Sequence, residues 1–290
     1  MNASGRTVHP KEFLREATRR FAGDVGLQIA GALLHPRALV RRALKNGLLV
    51  ARAWLLFKTP RSLIHHYFSQ TAPSEKRIHF RDGRELQLSR HHLDVVALFQ
   101  VFCERVYPTD RDTVVVDIGA NIGLFSCYAA FSGARRVYAF EPNGEAYRCM
   151  LANISRSNLQ GVIVPFQYAV TARSHEVVTI PKAASPQNRI AYGNADGDGH
   201  ESVQTISLDD IVGKERIPCI DLLKMDCEGS EYDIMAGISE STFSRIDRII
   251  VEYHDGKVGK IETDLKQRGF KLEKHALETA KMGMLWFRKG

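Results

Sequence analysis

The fold is decided by the stretch VVVDIGANIG, residues 114–123, in which an apolar strand ends on Asp117 and continues through Gly119 and Gly123 into an apolar helix. Glycine lets the backbone bend sharply and approach a ligand closely, and the N–H groups that open the helix face polar ligand atoms. The pattern therefore predicts a ligand above this turn. A tight strand-to-helix connection without a ligand explains the two glycines as well, so the neighbouring sequence must decide.

The next strand, RVYAFEP at residues 136–142, ends with Glu141, 24 residues after Asp117. An acid at the tip of the second strand is placed to accept hydrogen bonds from both ribose hydroxyls of a nucleoside cofactor. A nicotinamide site normally carries GxGxxG, which GANIG does not supply. Asp117 would repel a pyrophosphate but suits a cofactor with an ammonium group and a sulfonium. The two strands together favour S-adenosylmethionine.

Strands and helices alternate on both sides of this region, which predicts parallel βαβ units with helices on both faces of a sheet. Two strands near the C-terminus, FKLEKHA and MLWFRKG, lie close together, with Met282-Gly283 before the second. We therefore expect the sheet to end in an antiparallel hairpin, which a plain dinucleotide-binding fold would not have. Residues 183–200 are rich in Gly, Asp and Asn without periodicity, which indicates a mobile loop.

A second motif, LLKMDCEGSEYDI at residues 222–234, places Asp226 and Glu228 at the carboxyl end of a strand, where ligands of open α/β sheets bind. Glu231 is explained already by the charge preference of a helix N-terminus. The following strand ends at His254, where a histidine can take a proton from a substrate hydroxyl near neutral pH. We predict Asp226 or His254 as the catalytic base, with Glu228 orienting the acceptor.

The same strand ends also admit a metal site. Asp226, Glu228, Glu252 and His254 offer the hard oxygen and imidazole ligands that a divalent ion takes. We favour direct base chemistry and predict no metal. A hydrogen-bonded loop histidine is an equally good interpretation of His254.

The composition is that of an ordinary folded protein, with 44% apolar and 25% charged residues among 290, which excludes intrinsic disorder and small disulfide frameworks. Five cysteines, odd in number and without CxxC spacing, predict reduced thiols and a cytoplasmic location. The first twenty residues contain no apolar core of a secretory signal, and no stretch reaches the roughly 18 apolar residues of a spanning helix.

Positive charge is concentrated in residues 1–77, which hold 14 basic and 4 acidic side chains, an excess of ten in a chain of net charge +7. The leucine-rich helix predicted between Pro36 and Pro60 has a stripe of basic residues, as a membrane-surface helix can have: Arg37, Arg41, Lys45 and Arg52. Leucines share that side, so a basic helix packed on the body or on a partner explains it equally. We predict a basic helical extension over 1–77, with peripheral contact to the cytoplasmic membrane face as one interpretation.

Three motifs, VVVDIGANIGLFS, AFEPN and LLKMDCEGSEYDI, together resemble those of the FkbM-type methyltransferases, a branch of the class I S-adenosylmethionine-dependent fold. The resemblance covers residues 78–290 and leaves out the basic extension. It implies a Rossmann-like α/β fold with a mostly parallel seven-stranded sheet and an antiparallel last strand. It also implies O-methylation of a hydroxyl on a sugar, glycan or polyketide-like acceptor, with no nucleic acid as partner.

Carried over by position, the resemblance implies that Glu141 holds the ribose. Gln167 and Tyr168, toward the end of the third strand, would lie near the adenine. The residues that would line the methionine and ribose side of the cofactor are Asp117, Gly119, Ala120, Asn121 and Gly123.

Two alternatives remain open. An NAD(P)-dependent oxidoreductase is disfavoured by Asp117 and by the incomplete glycine pattern. A non-catalytic binding module, associated with a membrane or a glycan, would keep the fold without turnover. Cofactor binding separates the first alternative from a methyltransferase, and methyl transfer to an acceptor separates the second.

Overall fold

The computed structural model describes residues 36–73, 75–89, 91–185, 187–192, 199–256 and 258–290, apart from the side chains of 36–42. The chain divides into two compact units, Met1–Arg52 and Ala53–Gly290. The division between an extension and a catalytic domain after residue 77 stays a prediction. None of the helices in the described ranges is both long and apolar enough to cross a membrane.

The described elements follow one another along the chain. In order they are α1 (Pro36–Leu56), α2 (Pro60–Ser69), β1 (Arg77–His79), β2 (Glu85–Gln87), α3 (Leu93–Leu98) with a π-helical continuation (Phe99–Glu104), β3 (Val114–Ile118), α4 (Leu124–Phe131), β4 (Arg136–Phe140), α5 (Gly144–Arg156), β5 (Ile163–Phe166), β6 (Ala169–Val170), β7 (Val177–Pro181), β8 (Ala191–Tyr192), β9 (His200–Ile206), α6 (Leu208–Lys214), β10 (Leu222–Met225), α7 (Glu231–Gly237), α8 (Glu240–Phe243), β11 (Arg248–Tyr253), α9 (Val258–Gln267), β12 (Phe270–Leu277) and β13 (Gly283–Lys289).

The main sheet has, within the described ranges, seven strands in the order β12-β13-β11-β10-β3-β4-β5. Strands β3, β4, β5, β10 and β11 pair in parallel, whereas β13 is antiparallel to both β11 and β12. The predicted α/β class, the seven strands and the antiparallel last strand are confirmed. The parallel strands place the ends of β3, β4, β10 and β11 along one edge of the sheet, where the site lies.

Strand β3 lies at the centre of this sheet and is buried at every position. Val116 and Ile118 pack into an apolar cluster with residues of α6, α7 and α9. Because side chains alternate along a strand, Asp117 points to the opposite face. Its register partner on β10 is Lys224, so the sheet sets a carboxylate directly beside an ammonium group.

A smaller sheet of four strands, in the order β6-β9-β7-β8, is inserted between β5 and α6. Val178 and Ile180 of β7 pack against Val203 of β9 in a separate apolar cluster. This sheet was not predicted from the sequence. Ala191 and Tyr192, which were predicted to lie in a mobile loop, pair with β7 instead, because a two-residue strand is too short to show periodicity.

Candidate active site

The turn between β3 and α4 is held in a left-handed conformation, with φ of +75° at Gly119 and +50° at Asn121. A Cβ at Gly119 would lie 1.8 Å from the backbone oxygen of Asp226, so a side chain does not fit there. The N–H groups of Gly119 and Ala120 donate to the Phe140 carbonyl at 3.1 and 2.9 Å. The turn is thereby fixed between the ends of β4 and β10.

Glu141, directly after β4, holds the same turn in place through hydrogen bonds. Its Oε2 accepts the Asn121 N–H at 2.7 Å, and its Oε1 accepts the Asn143 N–H at 2.9 Å. Burial raises the pKa of the Glu141 carboxyl to about 7, against the lowering effect of these two hydrogen bonds. Each carboxylate oxygen has a second lone pair, so the group can still accept a hydroxyl on either side.

Asp117 lies beneath the turn and is fully buried. Its Oδ2 accepts a hydrogen bond from the Ser126 hydroxyl at 2.6 Å, and its Oδ1 lies 3.1 Å from Lys224 Nζ. Lys224 Nζ also donates to the Gly119 carbonyl at 2.7 Å, which ties the ion pair to the turn. Lys224 thus neutralises Asp117 in the structure, and contact between Asp117 and a cofactor stays a prediction.

Burial would lower the pKa of Lys224, but the carboxylates of Asp117 and Asp226 outweigh it and raise the pKa to about 12. Lys224 is therefore a permanent cation beneath the site. Lys224 was not among the predicted site residues, although a lysine inside the buried run LLKM indicates a paired charge.

A cavity of about 280 Å³ joins the two motifs. The predicted site residues that line it come from the glycine turn, from the ends of β4 and β10, and from the segment after β5: Gly119, Ala120, Asn121, Glu141, Tyr168, Asp226 and Glu228. Glu252 and Glu278 line the same cavity and were not among the predicted catalytic or cofactor residues. The structure therefore brings the separate strand ends to one space.

Two further predicted cofactor residues lie away from this lining. Gly123, with φ of +79°, begins α4, and a Cβ there would meet the Met150 side chain at 2.7 Å. Gln167 lines a neighbouring surface depression and donates weakly to the Pro142 carbonyl at 3.5 Å. Direct contact of either residue with a cofactor stays a prediction.

His254 is 1% exposed and is not among the described residues that line the cavity. Its Nδ1 lies 3.1 Å from Glu231 Oε1, and its Nε2 lies 3.5 Å from Glu228 Oε2. The backbone N–H groups of Cys227 and Gly229 hold Glu231 in turn. Burial would lower the pKa of His254, but the hydrogen bond and charge of Glu231, helped by Glu228, raise it above its usual value.

Asp226 is the predicted base that faces the cavity. Its Oδ2 accepts a hydrogen bond from the Tyr107 hydroxyl at 3.3 Å and lies 3.8 Å from Lys224 Nζ. On the next strand, burial and the charge of Asp226 raise the pKa of Glu252 to about 9. Tyr107 follows the π-helical segment, and no local sequence pattern identifies it.

Comparison with known proteins matches the family model of the methyltransferase FkbM domain to residues 117–272. Hexuronic acid methyltransferase AglP of Haloferax volcanii is 29% identical over 158 residues, which are 54% of this chain and 62% of that protein. The 31-O-demethyl-FK506 methyltransferase FkbM of Streptomyces tacrolimicus is 26% identical over 209 residues, 59% of this chain and 79% of that protein. The chain thus spans less than two thirds of the first relative's length.

Among solved structures, TrmK of M. capricolum in complex with S-adenosylhomocysteine aligns with a TM-score of 0.42 and 14% identity, over 67% of this chain and 68% of that one.

Proposed function

Because the chain belongs to the FkbM-domain methyltransferase family, we propose that it transfers the methyl group of S-adenosylmethionine to a hydroxyl oxygen of a sugar, glycan or polyketide-like acceptor. The observation that carries the proposal is the cavity that the glycine turn, Glu141 and Asp226 line together. Two relatives whose names specify a hexuronic acid and 31-O-demethyl-FK506 support this class of acceptor.

The cofactor lies across the glycine turn in this proposal. Glu141 accepts the two ribose hydroxyls on the free lone pairs of its carboxylate, and Tyr168 lies beside the adenine. The backbone of Ala120 and Asn121 faces the methionine side. Asp117 and Gly123 support the turn from beneath, and Gln167 lies outside the lining of the cavity.

The reaction is an in-line displacement. The acceptor oxygen attacks the methyl carbon, a C–O bond forms, and the C–S bond breaks with its electron pair going to sulfur, which leaves neutral S-adenosylhomocysteine. The hydroxyl proton passes to Asp226, while Glu228 orients the acceptor. Orientation of the two reactants contributes roughly 7–11 kcal/mol, and a general base about 10²–10⁴-fold in rate.

Asp226 is favoured over His254 as the base for two reasons. Asp226 lines the cavity, whereas the His254 ring is enclosed behind Glu228 and Glu231. Although burial lowers it, the pKa of His254 is raised overall by the hydrogen bond and charge of Glu231, which disfavours the neutral ring that a base requires.

The test is incubation of the full chain with methyl-labelled S-adenosylmethionine and fractionated glycan and polyketide extracts. We expect labelled methyl ethers in one fraction, and a fall in kcat of about 10²-fold or more in Asp226→Asn with little change in S-adenosylhomocysteine binding. Glu273→Gln, on the exposed side of β12, is the control. Label incorporated equally by Asp226→Asn would remove the base assignment, and failure to bind S-adenosylhomocysteine at millimolar concentration would overturn the function.

For location, we propose a cytoplasmic protein that contacts the membrane face through residues 1–77. The excess of ten positive charges supports this, as do Leu44 and Leu48 of α1, which are exposed beside Lys45. Flotation of the full chain is expected with phosphatidylserine vesicles and not with phosphatidylcholine vesicles, and raised salt is expected to abolish it. Equal recovery with both vesicle types would contradict electrostatic contact.

A further inference from the structure

The ends of β10 and β11 bring three metal-ligating side chains together. One carboxylate oxygen each of Asp226 and Glu252 and one ring nitrogen of His254 all lie within 4.8 Å of one another. Ligand bonds of about 2.0–2.6 Å place two ligands of one ion no more than roughly 4–5 Å apart. A single ion therefore fits between the three atoms.

The orientation of His254 is a second observation that points to a metal ligand. His254 Nδ1 lies 3.1 Å from Glu231 Oε1, and a carboxylate oxygen accepts the Nδ1–H of the ring. In the neutral ring this bond leaves the lone pair on Nε2, on the far side of the ring from Glu231. Nε2 is buried and has no hydrogen-bond partner among the described residues, although Glu228 Oε2 lies 3.5 Å away.

A carboxylate that holds the far nitrogen of a histidine is the usual support of a metal-binding imidazole. Glu231 is itself fixed by the N–H groups of Cys227 and Gly229, so the ring is held in one orientation before any ion binds. The helix N-cap Ser230 makes no side-chain cap. Glu231 instead binds the preceding turn and the His254 ring, so support of the histidine explains its hydrogen bonds more fully than helix capping does.

Carboxyl groups outnumber basic groups around the cluster. Asp226, Glu228, Glu252 and Glu278 line the same cavity, and Lys224 is the basic residue among its described lining. Lys224 lies on the side of Asp226 Oδ2, where Tyr107 also donates. Asp226 Oδ1 accepts no hydrogen bond from the described residues, so one oxygen of this carboxylate remains for an ion.

We propose that Asp226, Glu252 and His254 bind one divalent cation of the Mg²⁺ and Mn²⁺ class, supported by Glu231. Two carboxylates and one imidazole form a hard, oxygen-rich ligand set that suits these ions, and the nitrogen favours Mn²⁺ of the two. The role of the ion rests on the proposed function: it holds the acceptor hydroxyl and lowers its pKa, which eases transfer of the proton to Asp226.

The site is tested with Mn²⁺ alone, without cofactor or acceptor, by the loss of the electron paramagnetic resonance signal of free Mn²⁺ on titration into the full chain. We expect about one bound ion per chain, displaced by excess Mg²⁺. Glu252→Gln and Glu231→Gln are each expected to weaken binding about 10–100-fold, the first by removing a ligand and the second by releasing the histidine.

Glu278→Gln is the matched control, because it removes one negative charge from the same cavity outside the cluster. It is expected to change Mn²⁺ affinity less than about twofold, the small effect of an exposed charge. Equal weakening in Glu252→Gln and Glu278→Gln would show diffuse attraction of cations and overturn the site. Absence of Mn²⁺ binding at millimolar concentration would also overturn it.

A measurement on the unmodified chain tests the site even if a variant fails to fold. Bound Mn²⁺ broadens nearby nuclear magnetic resonance signals, so the ring signals of His254 are expected to disappear before those of the other ten histidines. Broadening that spares His254 would contradict the proposal. None of these readouts depends on methyl transfer, so failure of the metal site and failure of the proposed function are distinguishable.

Discussion

The carboxylate of Glu141 performs two tasks. It accepts the backbone N–H groups of Asn121 and Asn143, and in the proposed complex it also accepts the ribose hydroxyls. The first task requires burial, and burial raises its pKa to about 7. The second favours the ionised form, because a protonated carboxyl has lost an acceptor position. Cofactor binding at this residue is therefore linked to proton release.

We predict that the Kd of S-adenosylhomocysteine rises as pH falls below about 7, by up to about tenfold per pH unit, because the ligand lowers the pKa of Glu141 and protons compete with it. Calorimetry between roughly pH 5.5 and 8 measures this slope. Glu141→Gln keeps the shape but cannot titrate, so its Kd is expected to be higher at pH 8 and nearly flat with pH. A wild-type Kd that stays constant over this range would refute the linkage.

Gly119 illustrates a position where backbone geometry excludes every side chain. We predict that Gly119→Ala lowers the free energy of unfolding by more than about 2 kcal/mol, since its φ of +75° is strained for alanine and the Cβ meets the Asp226 carbonyl at 1.8 Å. Urea denaturation measures the loss. Gly161→Ala is the control, because nothing lies within 4 Å of its added Cβ and the change should be near neutral. Equal unfolding midpoints for the two variants would contradict the assignment.

Between strands β3 and β10, the pairing register sets Asp117 beside Lys224 in a buried ion pair. We predict that Lys224→Met lowers the free energy of unfolding by about 3–5 kcal/mol, because it leaves the Asp117 charge buried without its partner. Lys271→Met, on the exposed side of β12, should change stability by no more than about 0.5 kcal/mol. Urea denaturation of both variants measures the difference.

A double variant separates the charge from the packing. Asp117→Asn together with Lys224→Met removes both charges, so it should be more stable than Lys224→Met alone, even though one bond from Ser126 is weakened. If the double variant is less stable by the sum of the two single effects, Asp117 and Lys224 do not act as a pair.

Elements with a strong hydrophobic pattern were predictable from the sequence. Very short strands, and contacts between residues far apart in the sequence, were not. The apolar run of β3 and the hairpin of β12 and β13 follow from local sequence, because burial on both faces and close spacing leave a direct pattern. The four-stranded sheet rests on strands as short as the two residues of β8, which carry no period. Likewise Tyr107 and Asp226 meet across 119 residues of sequence, a distance that no local pattern spans.

The same limit applies to the roles of residues at the strand ends. Gly119, Glu141 and Asp226 were predictable because strand ends of parallel sheets converge at one edge. The pairing of Lys224 with Asp117 and of Glu231 with His254 was not, because it depends on register and on a turn whose geometry the sequence does not specify. The sequence therefore predicts which strand ends meet at one cavity, whereas the pairing of each charge within it depends on the three-dimensional structure.

For the molecule as a whole, net charge and the charge of the site have opposite signs. The chain carries +7, yet the described lining of the cavity contains Glu141, Asp226, Glu228, Glu252 and Glu278 against Lys224. Net charge attracts anions at long range, where salt screens it over about 8 Å, but the selection of a cofactor occurs inside the cavity. The local excess of acids disfavours a pyrophosphate and favours a sulfonium with an ammonium group.

We therefore predict that calorimetry of the full chain shows binding of S-adenosylmethionine and S-adenosylhomocysteine and no measurable binding of NAD at millimolar concentration. The reason is repulsion between the two pyrophosphate charges and the acidic lining, which has no counterpart in S-adenosylmethionine or S-adenosylhomocysteine because neither contains a phosphate. Glu278→Gln serves as the control: one acid fewer should leave S-adenosylhomocysteine affinity within a few-fold and still not admit NAD. Binding of NAD at least as tight as that of S-adenosylhomocysteine would reverse the cofactor assignment and restore the oxidoreductase alternative.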